Sequence, residues 1–187
     1  MADFRAFDKI ARLSRECVIT EKIDGTNAQI FIGEDDEFLT GSRTRWITPG
    51  DDNFGFSRWA HDHKDELLLL GPGCHFGEWW GAGIQRKYGL EEKRFSLFNT
   101  GRWGFDFDPV LGDVTPPPPC CHIVPVLATG IFSSMLVEGT IEMLRADGSQ
   151  ASLGFMKPEG VVIYHAAARS YFKKTLEKDT EWKGKGT

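Results

Sequence analysis
The chain has 187 residues, 41% of them hydrophobic, with 22 Lys and Arg against 27 Asp and Glu and a formal net charge of −5. That size and apolar content suit one folded domain over 1–187 and exclude disorder. The acidic balance excludes a uniformly basic surface for polyanions, so such a partner must meet local clusters: Arg43 and Arg45, Arg86–Lys87, Lys93–Arg94 and the tail from Lys173 to Lys185.

In chain order, "VITEKI" (18–23) and "AQIFIG" (28–33) are strand-like runs on either side of an Asp24–Gly25 turn signal, the pattern of a loosened hairpin. "FLTGSRTR" (38–45) predicts a broken strand. In "SRWAHDHKDELLLL" (57–70), Trp59, Leu67 and Leu70 stand near helical spacing, and "GPG" (71–73) ends the helix. His61 and His63 are two apart on that helix, which predicts a solvated face rather than a metal site. The run of four leucines, Leu67–Leu70, is the longest apolar stretch and too short to span a bilayer. With a charged N-terminus that carries no secretion signal, it predicts a cytoplasmic protein without membrane contact.

"CHFGEWW" (74–80) and "RFSLFN" (94–99) are aromatic-rich strands, and "DPVLGDVTPPPP" (108–119) is a loop, since proline removes donors and fixes φ. Cysteines 17, 74, 120 and 121 show no C-x-x-C spacing and are expected as free thiols. Cys120–Cys121–His122 lacks a second ligand pair for a metal. "HIVPVLA" (122–128) predicts one strand, at an edge or bulge because of Pro125. "SMLVEGTIEMLRADG" (134–148) predicts a helix closing on Gly148. "GVVIYH" and "SYFKKTLE" end the chain as strands. Many short strands, a few helices and no βαβ rhythm give an α+β fold with mostly antiparallel sheet.

The residues that carry chemistry lie in separate segments. A lysine amine is a nucleophile only when neutral, whereas free lysine is protonated at pH 7. Lys22, at a strand end in an electropositive crevice, is expected to have its basicity lowered. Glu78 sits among aromatics in "HFGEWWG", where a carboxylate is costly unless it binds something. Glu159 stands at the mouth of a strand, Arg43 follows a small-residue break, Lys173 and Lys174 lie in the last strand, and Phe98 precedes Asn99. A nucleoside phosphate needs such a set: an aromatic face for the base, carboxylates for ribose hydroxyls and metal, and cations for phosphates.

In this order the segments resemble the covalent nucleotidyltransferases, which comprise ATP-dependent DNA and RNA ligases and mRNA capping enzymes. "EKIDGTN" resembles the nucleotidyl-lysine motif, Ser42–Arg43 the arginine motif and "FGEWWGAGIQ" the ribose-binding carboxylate motif. "RFSLFN" resembles the base-stacking motif, "KPEGVVI" the fourth, acidic motif and "YFKK" the closing lysine motif. "DGTN" and "GIQ" are most similar to RNA-repair ligases of the phage type, and the resemblance spans about residues 15–177.

The resemblance implies a ligase adenylation-domain fold with a central nucleotide cleft, ATP and Mg²⁺ (or Mn²⁺) as cofactors, and RNA ends or a nicked duplex as partners. It implies that Lys22 attacks the α-phosphate of ATP to give lysyl-AMP, that AMP passes to an RNA 5′-phosphate, and that a 3′-hydroxyl then seals the strand. By the same resemblance Glu21 lies beside the adenine, Asn27 near the phosphates, Arg43 on ribose or phosphates and Glu78 on the ribose. Phe98 stacks on the adenine, Glu159 positions the metal through water, and Lys173 meets the α-phosphate. The closing motif usually has two lysines separated by one residue; here it runs Lys173, Lys174, Thr175. Strand alternation puts Lys173 and Thr175 on one face, so either Lys174 serves through a bulge or a neutral Thr175 suffices. Asn99 replaces a usual aspartate. Only ten residues follow Glu177, so no OB-fold or helical domain is expected, RNA affinity should be salt-sensitive, and an accessory protein would supply the clamp. A GTP-using capping-type guanylyltransferase, or a non-catalytic nucleotide- or RNA-binding module on the same fold, is the alternative.

Overall fold
The computed structural model describes residues 3–7, 9–35, 37–105 and 114–177. Residues 108–113 of the expected loop and the tail beyond Glu177, with Lys183 and Lys185, lie outside them. Among the described residues the strands are β1 (Glu16–Lys22), β2 (Thr26–Ile32), β3 (Phe38–Ser42), β4 (Trp46–Ile47), β5 (Gly73–Gly81), β6 (Lys93–Leu97), β7 (Cys121–Ile123), β8 (Val126–Ile131), β9 (Gly160–His165) and β10 (Ser170–Thr175). They form a four-stranded sheet in the order β10-β9-β1-β8 and a six-stranded sheet in the order β4-β3-β2-β5-β6-β7. All neighbours are antiparallel except β6 and β7. The α+β expectation with mostly antiparallel sheet holds.

Helices cover one face of each sheet. Against the six-stranded sheet lie α1 (Phe56–Asp62), α2 (Lys64–Leu67) and a 3₁₀ turn (Leu68–Leu70). Phe56, Ala60, Leu67 and Leu70 pack there with Ala28, Ile30, Trp79, Phe95 and Leu97. The single helix expected over this stretch is thus three pieces. His61 and His63 do not reach for a metal; each ring nitrogen Nδ1 bonds a backbone carbonyl four residues back, Ser57 and Trp59. Against the four-stranded sheet lies α3 (Ser134–Asp147), capped by the Ser133 hydroxyl, which accepts from the Leu136 N–H. Val137, Ile141 and Leu144 recur on one face of α3 and pack on Cys17, Ile19, Val161 and Ile163.

One expected turn and one expected strand prove to be crossovers between sheets. β1 and β2 are not a hairpin, because β1 pairs with β8 and β9 while β2 pairs with β3 and β5. The Asp24–Gly25 turn carries the chain from one sheet to the other. It passes so close to β5 that a Cβ on Gly25 would meet the Trp79 carbonyl oxygen at 2.5 Å and Trp80 Cβ at 2.7 Å. The single strand expected over 122–128 is likewise β7 in one sheet and β8 in the other. Pro125, with no N–H to donate, stands at the switch, and its carbonyl accepts the Glu21 N–H. Where the sheets join, Ile23, Trp80, Tyr88 and Val124 form a third apolar cluster. Among the described residues no helix is long and apolar enough to cross a membrane.

Candidate active site
Lys22 is the last residue of β1, in register with Gly160 of β9, which is in register with Thr175 of β10. Directly opposed residues of a sheet share a face. Lys22, Gly160 and Thr175 therefore look one way, and so do Thr20, Val162 and Lys173 two residues along. Ile19, Glu21, Val161, Ile163 and Lys174 look the other way, toward α3.

This register bears on the closing motif. Lys174, expected among the nucleotide ligands, has its Nζ donating to Glu138 of α3 at 2.6 Å, on the face away from Lys22. Of the two residues left open for the second position, Thr175 shares the face of Lys22 and Lys173. Glu21, expected beside the adenine, looks the same way as Lys174. Its carboxylate is buried, accepting from the Ser149 hydroxyl and from the N–H groups of Gln150 and Ala151. Burial raises its pKa, and those three hydrogen bonds oppose the rise. Glu21 thus fixes the segment after α3 to the strand that ends in Lys22.

Lys22 Nζ is 2.6 Å from Glu159 Oε2, with both side chains partly open to solvent. The expected electropositive crevice is corrected here, since the group in contact with the amine is a carboxylate. The reason is local: Gly160 lies opposite Lys22, so the preceding residue sits at the strand mouth within reach of it.

Glu78 of β5 is buried and registers with Asn27 of β2. Its Oε1 accepts the Gly25 N–H and its Oε2 the Asn27 amide, each at 3.0 Å. Burial pushes Glu78 up to about 7, against the pull of Lys22 and of both hydrogen bonds and with a further push from Glu159. The folded protein thus holds this proton more tightly than the unfolded chain, whose value is near 4.5. The stability that follows is full below the unfolded value and lost as pH rises through about 7. Compared with Glu78→Gln, which does not titrate, the wild-type protein is expected to lose up to about 3 kcal/mol of stability on going from acid to pH 8. Urea unfolding of both proteins across that range measures it; parallel curves would remove Glu78 as the cause.

Arg86 and Tyr88 brace this junction, and sequence reasoning missed both. Arg86 Nε donates to Asp24 Oδ2 at 3.0 Å and Nη1 to the Lys157 carbonyl at 3.0 Å, while Nη2 lies 3.7 Å from Glu177. The Tyr88 hydroxyl accepts the Asp24 N–H at 2.8 Å. Segments before Glu159, after Lys22 and after β10 are so held by one guanidinium. Gln85, Lys87 and Tyr88 all have left-handed φ (43°, 60° and 51°), a conformation that non-glycine residues hold only under constraint. Only the glycines around this segment hinted at it. The expected basic patches are largely consumed internally: besides Arg86, Arg45 pairs with Asp51, Arg94 with Glu92, and Lys93 donates to the Phe54 carbonyl.

The structure thus gathers Lys22, Glu159, Glu78 and Asn27. Lys173 shares the face of Lys22, and Phe98 stands 38% exposed just beyond β6, its N–H on the Phe76 carbonyl. Arg43 is exposed in the turn between β3 and β4; neither it nor Lys173 hydrogen-bonds the gathered four.

The RNA ligase family model matches residues 15–178, and no curated protein matches significantly. Among solved structures, a Naegleria gruberi RNA ligase mutant without ligand is 21% identical with a TM-score of 0.58. A mutant with ATP and Mn is 20% identical with a TM-score of 0.57, and one with AMP and Mn is 20% identical with a TM-score of 0.59. Each match covers 87% of this chain and 50% of the other. The chain therefore has their fold and spans about half their length.

Proposed function
The chain belongs to the RNA ligase family, and on that premise we propose that it is an ATP-dependent RNA ligase of the RNA-repair type, working through lysyl-AMP. The observation that carries this reading is the convergence of Lys22, Asn27, Glu78 and Glu159 at one junction between the sheets.

In the first step the Lys22 nitrogen bonds the α-phosphorus of ATP as the bond to pyrophosphate breaks. The amine must shed a proton first, and Glu159 Oε2, already hydrogen-bonded to it, stands to receive that proton. Lys173 directs its cation to the α-phosphate from the face of Lys22, with Thr175 in the second closing position. The exposed Phe98 ring offers the adenine a stacking face. Each Glu78 oxygen has one protein donor and so a lone pair to spare for a ribose hydroxyl. AMP then passes to an RNA 5′-phosphate, and a 3′-hydroxyl displaces AMP to seal the strand.

The residues fit a divalent cation that arrives with the nucleotide. Among the described residues no group of three His, Cys, Asp or Glu is able to hold a metal alone. Mg²⁺ commonly takes one or two carboxylates with phosphates and waters, and Glu159 is the carboxylate that faces the cleft beside Lys22. A bound cation supplies positive charge to the α-phosphate as it is attacked.

Incubation with Mg²⁺ and α-labelled ATP or GTP tests the reading. AMP label that survives denaturation and is released by acid is the expected result. GMP label indicates a capping-type transferase, and no label with either nucleotide indicates a binding module.

A further inference from the structure
An aromatic stripe on a sheet face that no helix covers among the described residues calls for an occupant. The six-stranded sheet turns Ala28, Ile30, Trp79, Phe95 and Leu97 toward its helices. Its other face carries Asn27 and Glu78. On that same face one cross-strand row runs Trp46, Gly41, Gln29, Phe76 by direct register. Phe98 extends it, bonded through its N–H to the Phe76 carbonyl. Trp46 is 49% exposed and Phe76 54%, far more than aromatics of a covered sheet. Phe31 leans on Trp46 with ring centroids 6.3 Å apart.

The glycine in this row has a structural reason. A Cβ on Gly41 would meet Gln29 Cγ at 2.7 Å and Nε2 at 2.6 Å. Glycine there lets the Gln29 side chain lie across β3, in the row between Trp46 and Phe76. At a strand spacing of about 4.8 Å, the row runs roughly 14 Å from Trp46 to Phe76 and about 5 Å more to Phe98. Phe76 is two residues, roughly 7 Å, along β5 from Glu78.

We propose that this row is a stacking platform for unpaired bases of an RNA strand whose end reaches Lys22. The proposal rests on the ligase reading and adds the surface that receives the strand. Aromatic faces stack any base, and such platforms pair with cations for the backbone. Exposed Arg43, in the turn that leads into Trp46, is placed to meet a phosphate. Continuity favours RNA over a protein partner, because the row ends at Phe98 in the nucleotide site. A protein seated along it would cover the face that the adenine needs.

Anisotropy titration of a labelled single-stranded oligoribonucleotide, run beside lysyl-AMP labelling, tests this. Phe76→Ala and Trp46→Ala are each expected to weaken RNA binding about tenfold while labelling stays within about twofold. Phe76→Trp should bind as the wild type and Phe76→Leu as the alanine variant, since stacking needs a ring and packing does not. Alanine variants that label normally and bind RNA like the wild type overturn the platform alone, as does a fully competent Phe76→Leu. A wild-type protein that takes no AMP label overturns the ligase reading itself.

Discussion

Lys22→Ala is expected to reduce AMP labelling by at least about 10⁴-fold, the scale of loss when a covalent nucleophile is deleted. No neighbouring amine can replace it. Lys174 is tied to Glu138 on the opposite face, and Lys173 lies opposite Val162, two residues along the sheet. Lys22→Arg should fail equally, because a guanidinium keeps its proton. The loss should not reflect unfolding. Lys22 and Glu159 are 23% and 18% exposed, so an unpartnered Glu159 can be hydrated, and circular dichroism should show the wild-type fold. The discriminating measurement uses RNA that already carries AMP on its 5′-phosphate. Only the first step forms a bond to Lys22, so Lys22→Ala should still join this strand to a 3′-hydroxyl. Equal loss of joining and labelling would mean that the side chain acts in the RNA steps too, or that another residue is the nucleophile.

The strands and the candidate nucleophile were legible because they depend on local pattern. Short runs rich in β-branched and aromatic residues mark β1, β2, β5 and β9, and the segments around Lys22, Glu78 and Glu159 are short and contiguous. Which sheet each strand joins was not legible. Asp24–Gly25 has the chemistry of a hairpin turn, and only the approach to Trp79 and Trp80 across the fold makes it a crossover. Pro125 announced an interruption without saying that the chain changes sheets there. Side-chain partners were the least legible. Glu21 adjoins Lys22 in sequence, yet alternation sends it to the segment at 149–151, more than a hundred residues away. Sequence alternation leaves Lys174 open, because a bulge is possible; the register of β10 with β9 runs without one. Arg86 looked like surface charge because nothing local distinguishes a solvated arginine from one that ties together three distant segments.

Glu159→Ala is expected to slow AMP labelling by about 10²- to 10³-fold, with more Mg²⁺ needed for half-maximal rate. Two roles meet in this carboxylate, and a second variant separates them. As the partner of Lys22 at 2.6 Å, it orients the amine and receives its proton. As the cleft-facing carboxylate beside the amine, it is also the side chain placed to hold a cation. Glu159→Gln keeps an oxygen that accepts from Lys22 but loses the charge and the capacity to take a proton. If orientation were the whole contribution, Gln would restore most of the rate. The charge is the essential part on the present geometry, because Asp24 is already committed to Arg86 and Glu78 is driven up to about 7. Among the described residues, Glu159 is the carboxylate in contact with Lys22 and partly open to solvent. Glu159→Gln should therefore resemble Glu159→Ala in rate and in its raised Mg²⁺ requirement. A Gln variant that labels at the wild-type rate with ordinary Mg²⁺ would show that Glu159 only steers the lysine, and the cation would have to be held elsewhere.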